Sequence, residues 1–348
     1  AVAYLGEQWK AQVDNLVANL NQSFASSQVA ANVRVVRYAQ IRDFAANGEN
    51  VLNQVQNLLT RLNSANSPFT SIPSERNQLG ADLVVHLVTK LPNGGWCGAS
   101  NAYRNNSNSN TAFAIAAVNC SADEHVFAHE IGHLLGGLHS STRDAQLAGA
   151  IFPYSFGYTN KESPGNYFRT LMGDTSFAST SGCTSPCTRI NRWSSPNQLI
   201  SIGGAMVPIV PTADAEKSDM VLTLNGSSDF YNPVQGMANL VANHRSTVST
   251  VPGSPATFVS ASVCASTPTN LSWTAGTGAV GWYEMSWSSV GDGTSYSGAS
   301  IIDANSRSLS TYPYRFNTTT FSLRSCNAAG CSSARTLTIS PNTGRPPC

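Results

Sequence analysis

The chain has 348 residues, more than one compact core usually accommodates, so its length predicts two domains. Hydrophobic residues make up 41% and charged residues 11%, a balance that excludes a disordered chain. The formal net charge is +1 without a block of like charge, so we expect no nucleic-acid partner and no anionic membrane surface as a partner. No apolar run approaches the roughly 18 residues that a membrane span needs.

The first part of the chain shows the patterns of a mixed α/β fold. Apolar residues from Leu5 to Phe24 recur at intervals of three and four, which is typical of an amphipathic helix. Two later runs are short, apolar and rich in β-forming residues, as in central strands. The predicted elements, in chain order, are a helix at 5–29, a strand at 32–41, a helix at 51–62 and strands at 82–89 and 112–118. This order predicts a mixed twisted sheet with helices.

The second part of the chain changes character. Residues 154–233 have little periodicity, and a last helix is predicted at 237–248. A Pro- and Gly-rich linker at 251–255 separates this part from short β-type runs at 270–273, 282–287 and 319–324. We therefore predict an α/β domain over residues 1–250 and an all-β sandwich over residues 256–348.

The cysteines indicate the compartment. Their number is eight, and none falls in a C-x-x-C pattern, which favours disulfides over free thiols. Disulfides form in oxidising compartments, so we expect an exported protein. The N-terminal residues lack the layout of a signal peptide, so an exported chain would be a processed form.

The most informative segment reads His129-Glu130-Ile-Gly-His133-Leu-Leu-Gly136-Gly-Leu-His139. Two histidines four residues apart on a helix project from one face and can hold one metal ion. H-E-x-x-H alone also occurs by chance, but Gly136 and His139 at these offsets make the motif specific. Three imidazoles and one open position are the arrangement of a catalytic zinc site, so we predict one Zn²⁺.

Glu130 is the predicted general base. It follows the first ligand, so it lies beside the metal without coordinating it. There it can take a proton from a water molecule and pass the proton to the leaving amine.

The helix that carries this motif has predicted ends. Ser121 and Glu124 form an S-x-x-E capping box at its start. Gly136 can take the left-handed conformation that ends a helix, and this turn would let His139 reach the metal from a separate segment.

The motif H-E-I-G-H-L-L-G-G-L-H resembles that of the metzincin metallopeptidases, and the order of elements resembles the reprolysin-like exported bacterial enzymes, including peptidyl-Asp metalloendopeptidases. The resemblance implies a methionine turn beneath the metal, for which Met172 in Arg169-Thr-Leu-Met172-Gly is the candidate. It also implies an edge strand for an extended substrate around residues 96–103, and a disulfide between Cys97 and Cys120.

The chain departs from the family pattern in three ways. Asp174 stands where some metzincins have a switchable tyrosine ligand, so that role is not carried over. The first family strand would precede residue 1. Peptidyl-Asp specificity would require a cation in the substrate pocket, and Arg169, Arg189 and Arg192 are candidates, although structural roles are common for such residues.

Further candidates carry weaker signals. Tyr154 and Tyr158 are either donors to an oxyanion or packed loop aromatics. His86, in an apolar strand, is predicted to be a core histidine. The C-terminal region resembles fibronectin type III modules, with Phe321 at a position where that family often has tyrosine. Its four cysteines allow three pairings.

The sequence therefore predicts a secreted zinc-dependent endopeptidase that acts on protein or peptide substrates. The resemblance to peptidyl-Asp metalloendopeptidases adds cleavage on the N-terminal side of Asp as a hypothesis, which the sequence itself does not decide. The alternatives are a zinc hydrolase of a non-peptide amide and a catalytically silent, zinc-containing adhesion module. Glu130 argues against the second alternative, because a structural site has no use for a carboxylate beside an open position. Calcium use and oligomeric state do not follow from the sequence.

Overall fold

The computed structural model describes residues 9–39, 59–62, 69–88, 97–101, 109–118, 120, 125–139, 155–160, 168–173, 188–195, 198–202, 204–209, 237–238, 240–261, 269–291, 294–311 and 317–340. These residues group into two compact units. The first draws its described residues from Ala1–Arg34, Asp43–Pro73 and Asp82–Arg245. The second draws them from Val35–Arg42, Ser74–Ala81 and Ser246–Cys348. The domain limits drawn from the sequence, 1–250 and 256–348, stay a prediction.

The elements up to residue 208 are, in chain order, α1 (Trp9–Ser26), α2 (Ile72–Gln78), β1 (Val84–Val88), β2 (Gly98–Ser100), β3 (Phe113–Ala117), α3 (Val126–Leu134), β4 (Thr159–Asn160), β5 (Phe168–Arg169), β6 (Thr188–Arg189), β7 (Leu199–Ile202) and β8 (Ala205–Pro208). The later strands are β9 (Thr257–Ser260), β10 (Thr269–Thr274), β11 (Trp282–Gly291), β12 (Thr294–Asp303), β13 (Ser308–Thr311), β14 (Thr318–Asn327), β15 (Gly330–Cys331) and β16 (Arg335–Ile339).

The main sheet of the first unit is mixed, as the sequence predicts. Its strand order is β1-β3-β2, with β1 parallel and β2 antiparallel to β3. All five residues of β3 are buried, because this strand has neighbours on both sides and packs against helix α3. The strands predicted at 82–89 and 112–118 are thus confirmed, and β2 lies at an edge of this sheet.

Helix α1 confirms the first predicted helix within the described residues. Its stripe buries Leu20 and Phe24, and the Phe24 ring stacks on Trp193 with centroids 5.6 Å apart. The helix ends at Ser26, shortly before Gln28 takes a left-handed φ of 59°. The apolar face of α1 therefore joins the core that also contains α3.

The strand predicted at 32–41 is wrong over its described part, residues 32–39, which contain no strand. The side-chain amide of Asn21 accounts for this locally. Its Nδ2 donates to the Val33 carbonyl at 2.8 Å, and its Oδ1 accepts from the Val33 amide at 2.7 Å. Both backbone groups of Val33 are thus satisfied by a side chain, so alternation of apolar residues was not enough to make a strand.

The other two predicted helices are reproduced in part. Residues 59–62 are helical, while 51–58 lie outside the described residues. The last helix is shorter than the predicted 237–248, because helical residues end at Val241. Beyond it, the backbone N–H of Arg245 donates to Asp82 Oδ1 at 3.1 Å, so this amide is bonded to a side chain and not to a helical carbonyl. Helix α2 was not predicted.

The second unit contains the predicted β sandwich. One sheet has the order β13-β10-β9, and the other has the order β12-β11-β14-β15, with β16 also paired to β14. Alternate residues of both sheets point into one core, as period-two patterns require. The core residues are Phe258, Leu271, Trp273, Tyr283, Met285, Ile302, Phe321, Leu323 and Ile339. Cys326 and Cys331 form a disulfide, while Cys264 and Cys348 lie outside the described residues.

Two short stretches from early in the chain also belong to the second unit. Arg37 and Glu75 form an ion pair at 2.7 Å, and both side chains are largely buried. Asn305 Nδ2 donates to Glu75 Oε1 at 3.3 Å, and the Tyr38 ring meets the Trp282 ring edge-on. The second unit therefore uses more of the chain than its C-terminal residues. No helix among the described residues is long and apolar enough to span a bilayer.

Candidate metal centre

Helix α3 places two of the predicted ligands on one face. It begins at Val126, with His125 at the N-cap position and without a side-chain cap. The predicted capping box of Ser121 and Glu124 lies outside the described residues. All nine helix residues are buried, so the helix is held by packing on all sides rather than by its cap.

The C-terminus of α3 turns as the sequence predicts. Gly136 has a φ of 84°, its amide donates to His133 O, and the Gly137 amide donates to Gly132 O. These two bonds form a Schellman motif, which satisfies carbonyls at the end of the helix. The turn brings His139 back toward the helix.

The three imidazoles converge. His139 Nε2 lies 3.0 Å from His129 Nε2 and 3.1 Å from His133 Nε2. His129 and His133 are each 7% exposed, and their ring centroids are 4.8 Å apart. The structure thus brings together the three residues that the sequence singled out.

Two backbone carbonyls fix the tautomers of the helical histidines. His129 Nδ1 lies 2.7 Å from Leu171 O, and His133 Nδ1 lies 2.7 Å from Gly137 O. A carbonyl can only accept, so each Nδ1 carries the proton and each Nε2 presents a lone pair to the shared point. Such second-shell carbonyls orient the histidine ligands of metal sites.

These residues fit a transition metal. Lone pairs crowded at about 3 Å repel one another unless a cation lies between them. A tetrahedral zinc ion at about 2.1 Å from each nitrogen would separate the nitrogens by roughly 3.4 Å, close to the spacing here. Imidazole is a ligand that suits zinc and other late first-row metals.

The electrostatics also favour neutral ligands. Burial lowers the pKa of His129 well below its ordinary value, and repulsion from the positive charge of Arg189 and from the neighbouring imidazoles lowers it further. The ring is therefore neutral at neutral pH, which is the form that binds a metal.

A second cluster of metal-binding residue types lies in the sandwich. It consists of Glu284, Cys326 and Cys331. The two cysteines are joined in a disulfide, so their sulfurs are not thiolate ligands. The histidine cluster is the better candidate.

The tight turn at residues 170–173 packs against α3. Within residues 170–173, the Gly173 amide donates to Thr170 O, and Leu171 supplies the carbonyl that orients His129. Met172 is 1% exposed, and a Cβ on Gly132 would collide with its sulfur. The same Cβ would lie 2.8 Å from Trp193 Cζ3, so only glycine lets the helix lie this close to the turn.

Glu130 lies on α3 between the two histidines and faces β2. It is 4% exposed, and Ser100 Oγ donates to its Oε2 at 2.7 Å. Gly98 lies on the same face of β2, next to the carboxylate. Sequence reasoning placed both residues in an edge strand but missed their contact with Glu130.

The other predicted site residues have varied surroundings. Tyr158 is 3% exposed and packs against Phe168, so its environment is that of a core aromatic. Arg169 is buried in β5 and donates to Gly173 O at 3.3 Å, and Arg189 Nη2 donates to the same oxygen at 3.4 Å. Tyr154 and Asp174 lie outside the described residues.

The disulfide expected between Cys97 and Cys120 is confirmed. Cys97 directly precedes β2, and its carbonyl accepts from the Ala117 amide at the end of β3 at 2.8 Å. The bond therefore ties the edge strand to the segment that leads into the metal-site helix.

Several curated proteins are similar in sequence to this chain. A peptidyl-Asp metalloendopeptidase of Stenotrophomonas maltophilia (strain R551-3) is 30% identical over 217 residues, which are 62% of this chain and 47% of that protein. One from Xanthomonas campestris pv. campestris is 31% identical over 218 residues, 62% of this chain and 46% of that protein. One from Pseudomonas fragi is 36% identical over 87 residues, 25% of this chain and 52% of that protein. The chain thus spans about half the length of these curated relatives.

Among solved structures, FN3tt mut is 25% identical and covers 26% of this chain and 97% of its own, with a TM-score of 0.21. The fn3 domain of human collagen alpha-1(XX) chain is 19% identical and covers 30% and 97%, with a TM-score of 0.24. The family match is the broader finding, because residues 1–194 match the family model of metallo-peptidase family M12. Since that match covers more than half of the 348 residues, the chain belongs to metallo-peptidase family M12.

Proposed function

We propose that this chain is a zinc-dependent endopeptidase that hydrolyses peptide bonds, with Glu130 as the general base. The observation that carries the proposal is the convergence of three Nε2 atoms, two of them from a helix that also buries the Glu130 carboxylate. Two of the three rings are already oriented by backbone carbonyls, so the ligand set is organised by the fold itself.

His129, His133 and His139 would hold the ion. When bound, zinc supplies a Lewis acid that activates water near neutral pH and polarises a carbonyl. The turn at residues 170–173 supports these ligands through Leu171 O, and Met172 would form the floor beneath them. A metzincin-like arrangement of the first unit is part of this proposal.

Glu130 would handle the protons. Its carboxylate follows His129 directly in the helix and is buried, so bulk water competes little for it. It would accept a proton as the water attacks the scissile carbonyl and deliver that proton to the leaving amine. A carboxylate in this role adds to catalysis without contributing to metal affinity.

The edge strand β2 would bind the substrate. Among the described strands, β2 pairs with β3 only, so its other edge is available to an extended peptide. Backbone hydrogen bonds of this kind hold a peptide largely independently of its sequence. The disulfide of Cys97 steadies this strand.

A preference for bonds on the N-terminal side of Asp is the finer part of the proposal. It is supported by the name of the relatives, which are about 30% identical to this chain. Arg169 and Arg189 supply positive charge near Gly173, beside the turn that supports the metal site. Of these two residues, Arg189 also acts electrostatically on His129, which puts its charge within range of the site.

Export to an oxidising compartment is also proposed. The two disulfides among the described residues would not persist in a reducing cytosol. Protein or peptide substrates would then be extracellular, and the C-terminal sandwich would be an accessory module for docking or stability.

A cleavage assay on a complex peptide mixture tests the proposal. We expect mass spectrometry to find internal cuts, with Asp dominant after the cleaved bond, and we expect chelation to abolish them. Glu130→Gln should keep zinc bound and lower turnover by at least about a hundredfold. The matched control is Glu284→Gln, which changes a half-exposed carboxylate in the sandwich. Full activity of the Glu130→Gln variant would contradict the assigned role, and a dominant hydrophobic residue after the cut would end the Asp hypothesis.

A further inference from the structure

One face of the edge strand β2 is shaped around the Glu130 carboxylate. Gly98 and Ser100 are two residues apart, so their side-chain positions lie on the same face of the strand. Ser100 Oγ donates to Glu130 Oε2 at 2.7 Å. A Cβ on Gly98 would come within 2.5 Å of Glu130 Oε1 and 2.7 Å of its Cγ. One residue therefore supplies a donor, and the other supplies space.

The bond between Ser100 and Glu130 has the features of a strong interaction. Its acceptor is a carboxylate, and hydrogen bonds to charged groups are shorter and stronger than neutral ones. Glu130 is 4% exposed, so water does not readily replace the hydroxyl. The contact fixes one carboxylate oxygen and thereby the rotation of the whole group.

The strand that carries Ser100 is itself held firmly. Ser100 pairs with Ala114, and Gly98 pairs with Ala116, in a central strand that is completely buried. The Cys97 disulfide anchors the strand one residue before Gly98. A donor on such an element positions its partner more accurately than a donor on a loop.

We propose that Ser100 is a positioning residue, which holds the Glu130 carboxylate in the orientation needed for proton transfer. Gly98 has no side chain and therefore leaves room for the carboxylate in this orientation. The inference rests on the proposed function of Glu130 as the general base. Because β2 is also the proposed substrate strand, peptide binding and base orientation share one rigid element. The bond spans 30 residues of sequence, so no local motif around the histidines reveals it.

The test compares Ser100→Ala, Ser100→Thr and wild type on one peptide substrate. Ser100→Ala should lower kcat by about tenfold, the size expected for a lost charge-assisted bond, with KM within about twofold. Ser100→Thr keeps the hydroxyl and should recover most of kcat. Zinc per chain should match wild type in both variants, while the thermal midpoint of the first unit should be lower in Ser100→Ala, because that variant loses a buried hydrogen bond.

Ser23→Ala is the matched control, because its hydroxyl is also buried and bonded but only to Leu20 O in α1. We expect it to leave kcat unchanged. Gly98→Ala should lower kcat more than Ser100→Ala does, and it should also destabilise the first unit, since its Cβ meets both the carboxylate and the Ile115 backbone oxygen of β3.

A double-mutant cycle separates positioning from general damage. In a Glu130→Asp background the shorter side chain does not reach Ser100, so Ser100→Ala should have no further effect on the residual kcat. An equal, additive loss in both backgrounds would overturn the inference, as would full kcat in Ser100→Ala or failure of Ser100→Thr to recover it. If Ser100→Ala does not fold, Ser100→Thr and Ser100→Cys are compared in its place. Only Ser100→Thr retains a strong donor, so its kcat should be the higher of the two.

The outcomes distinguish this inference from the proposed function. Loss of turnover in Glu130→Gln with an unaffected Ser100→Ala would reject the positioning role alone. Full turnover in Glu130→Gln would reject both.

Discussion

The metal-site region around α3 and the C-terminal sandwich are both well packed, but they bury different kinds of side chain. The sandwich core consists of alternate apolar residues from strands of up to ten residues. The metal-site region buries His129, Glu130 and His133 together, and each polar group has a defined partner. The sandwich core tolerates single changes of similar size, because many apolar residues share its packing. The metal-site region depends on a few individual hydrogen-bonded atoms.

This difference has a consequence for substitutions. Changes to the three histidines or to Glu130 should alter metal binding or turnover more than stability, while changes in the sandwich core should do the opposite. Three predictions test this contrast, from the largest expected effect to the smallest, and a fourth concerns a buried histidine outside both regions.

The largest effect is expected for His133→Ala. It removes one of three ligands, so we expect loss of tightly bound zinc and a fall in activity of about a thousandfold or more. Zinc content and peptide turnover measure it. His86→Gln is the control, because His86 lies in β1 and contacts Phe69 rather than the ligand cluster. Equal zinc in wild type and His133→Ala would contradict the assignment.

The sandwich should respond through stability. Leu323 is 0% exposed, so Leu323→Ala should lower the free energy of unfolding of the second unit by about 3 kcal/mol. Val290 is 64% exposed, and Val290→Ala should change this free energy of unfolding by less than about 0.5 kcal/mol. Denaturant titration followed by tryptophan fluorescence compares the two. Zinc per chain should stay constant, and a loss of zinc in Leu323→Ala would break the contrast.

Gly132→Ala tests the close packing of α3 on the turn. The added methyl meets Met172 Sδ and Trp193, so we expect destabilisation of about 2 kcal/mol and reduced zinc affinity. Met172→Ala makes room, so the double variant should be less destabilised than the sum of the single variants. Strict additivity in thermal unfolding would show that the two residues do not meet.

The fourth prediction concerns acid, and its effect is absent at neutral pH. Burial lowers the pKa of His86 to about 4, while the unfolded value is about 6.5. The unfolded chain therefore binds a proton between these values that the folded chain does not. The stability contribution is present above pH 6.5 and is lost as pH falls toward 4, by roughly 2–3 kcal/mol.

Comparison with His86→Gln isolates this contribution, because the variant keeps every other titrating group. Wild type should lose more unfolding free energy between pH 7 and about 4.5 than the variant does. An identical pH dependence of the two proteins would contradict the prediction.

The sequence predicted the sandwich and the ligand set for different physical reasons. Strands such as β10, β11 and β14 follow from alternation, and the ligands follow from spacing on a helix and a left-handed Gly136. The strand at 32–41 failed because the Asn21 amide, twelve residues away, binds the Val33 backbone. The supporting contacts of the site were out of reach, since Leu171 O lies 42 residues from His129.

X-ray absorption spectroscopy of the zinc-loaded protein tests the central claim most directly, because it counts the ligands of the ion by type. We predict three imidazole nitrogens at about 2.0–2.1 Å with one further oxygen, and no sulfur. His139→Ala should reduce the imidazole count or abolish binding. A sulfur shell at about 2.3 Å, or fewer than three imidazoles in wild type, would contradict the account.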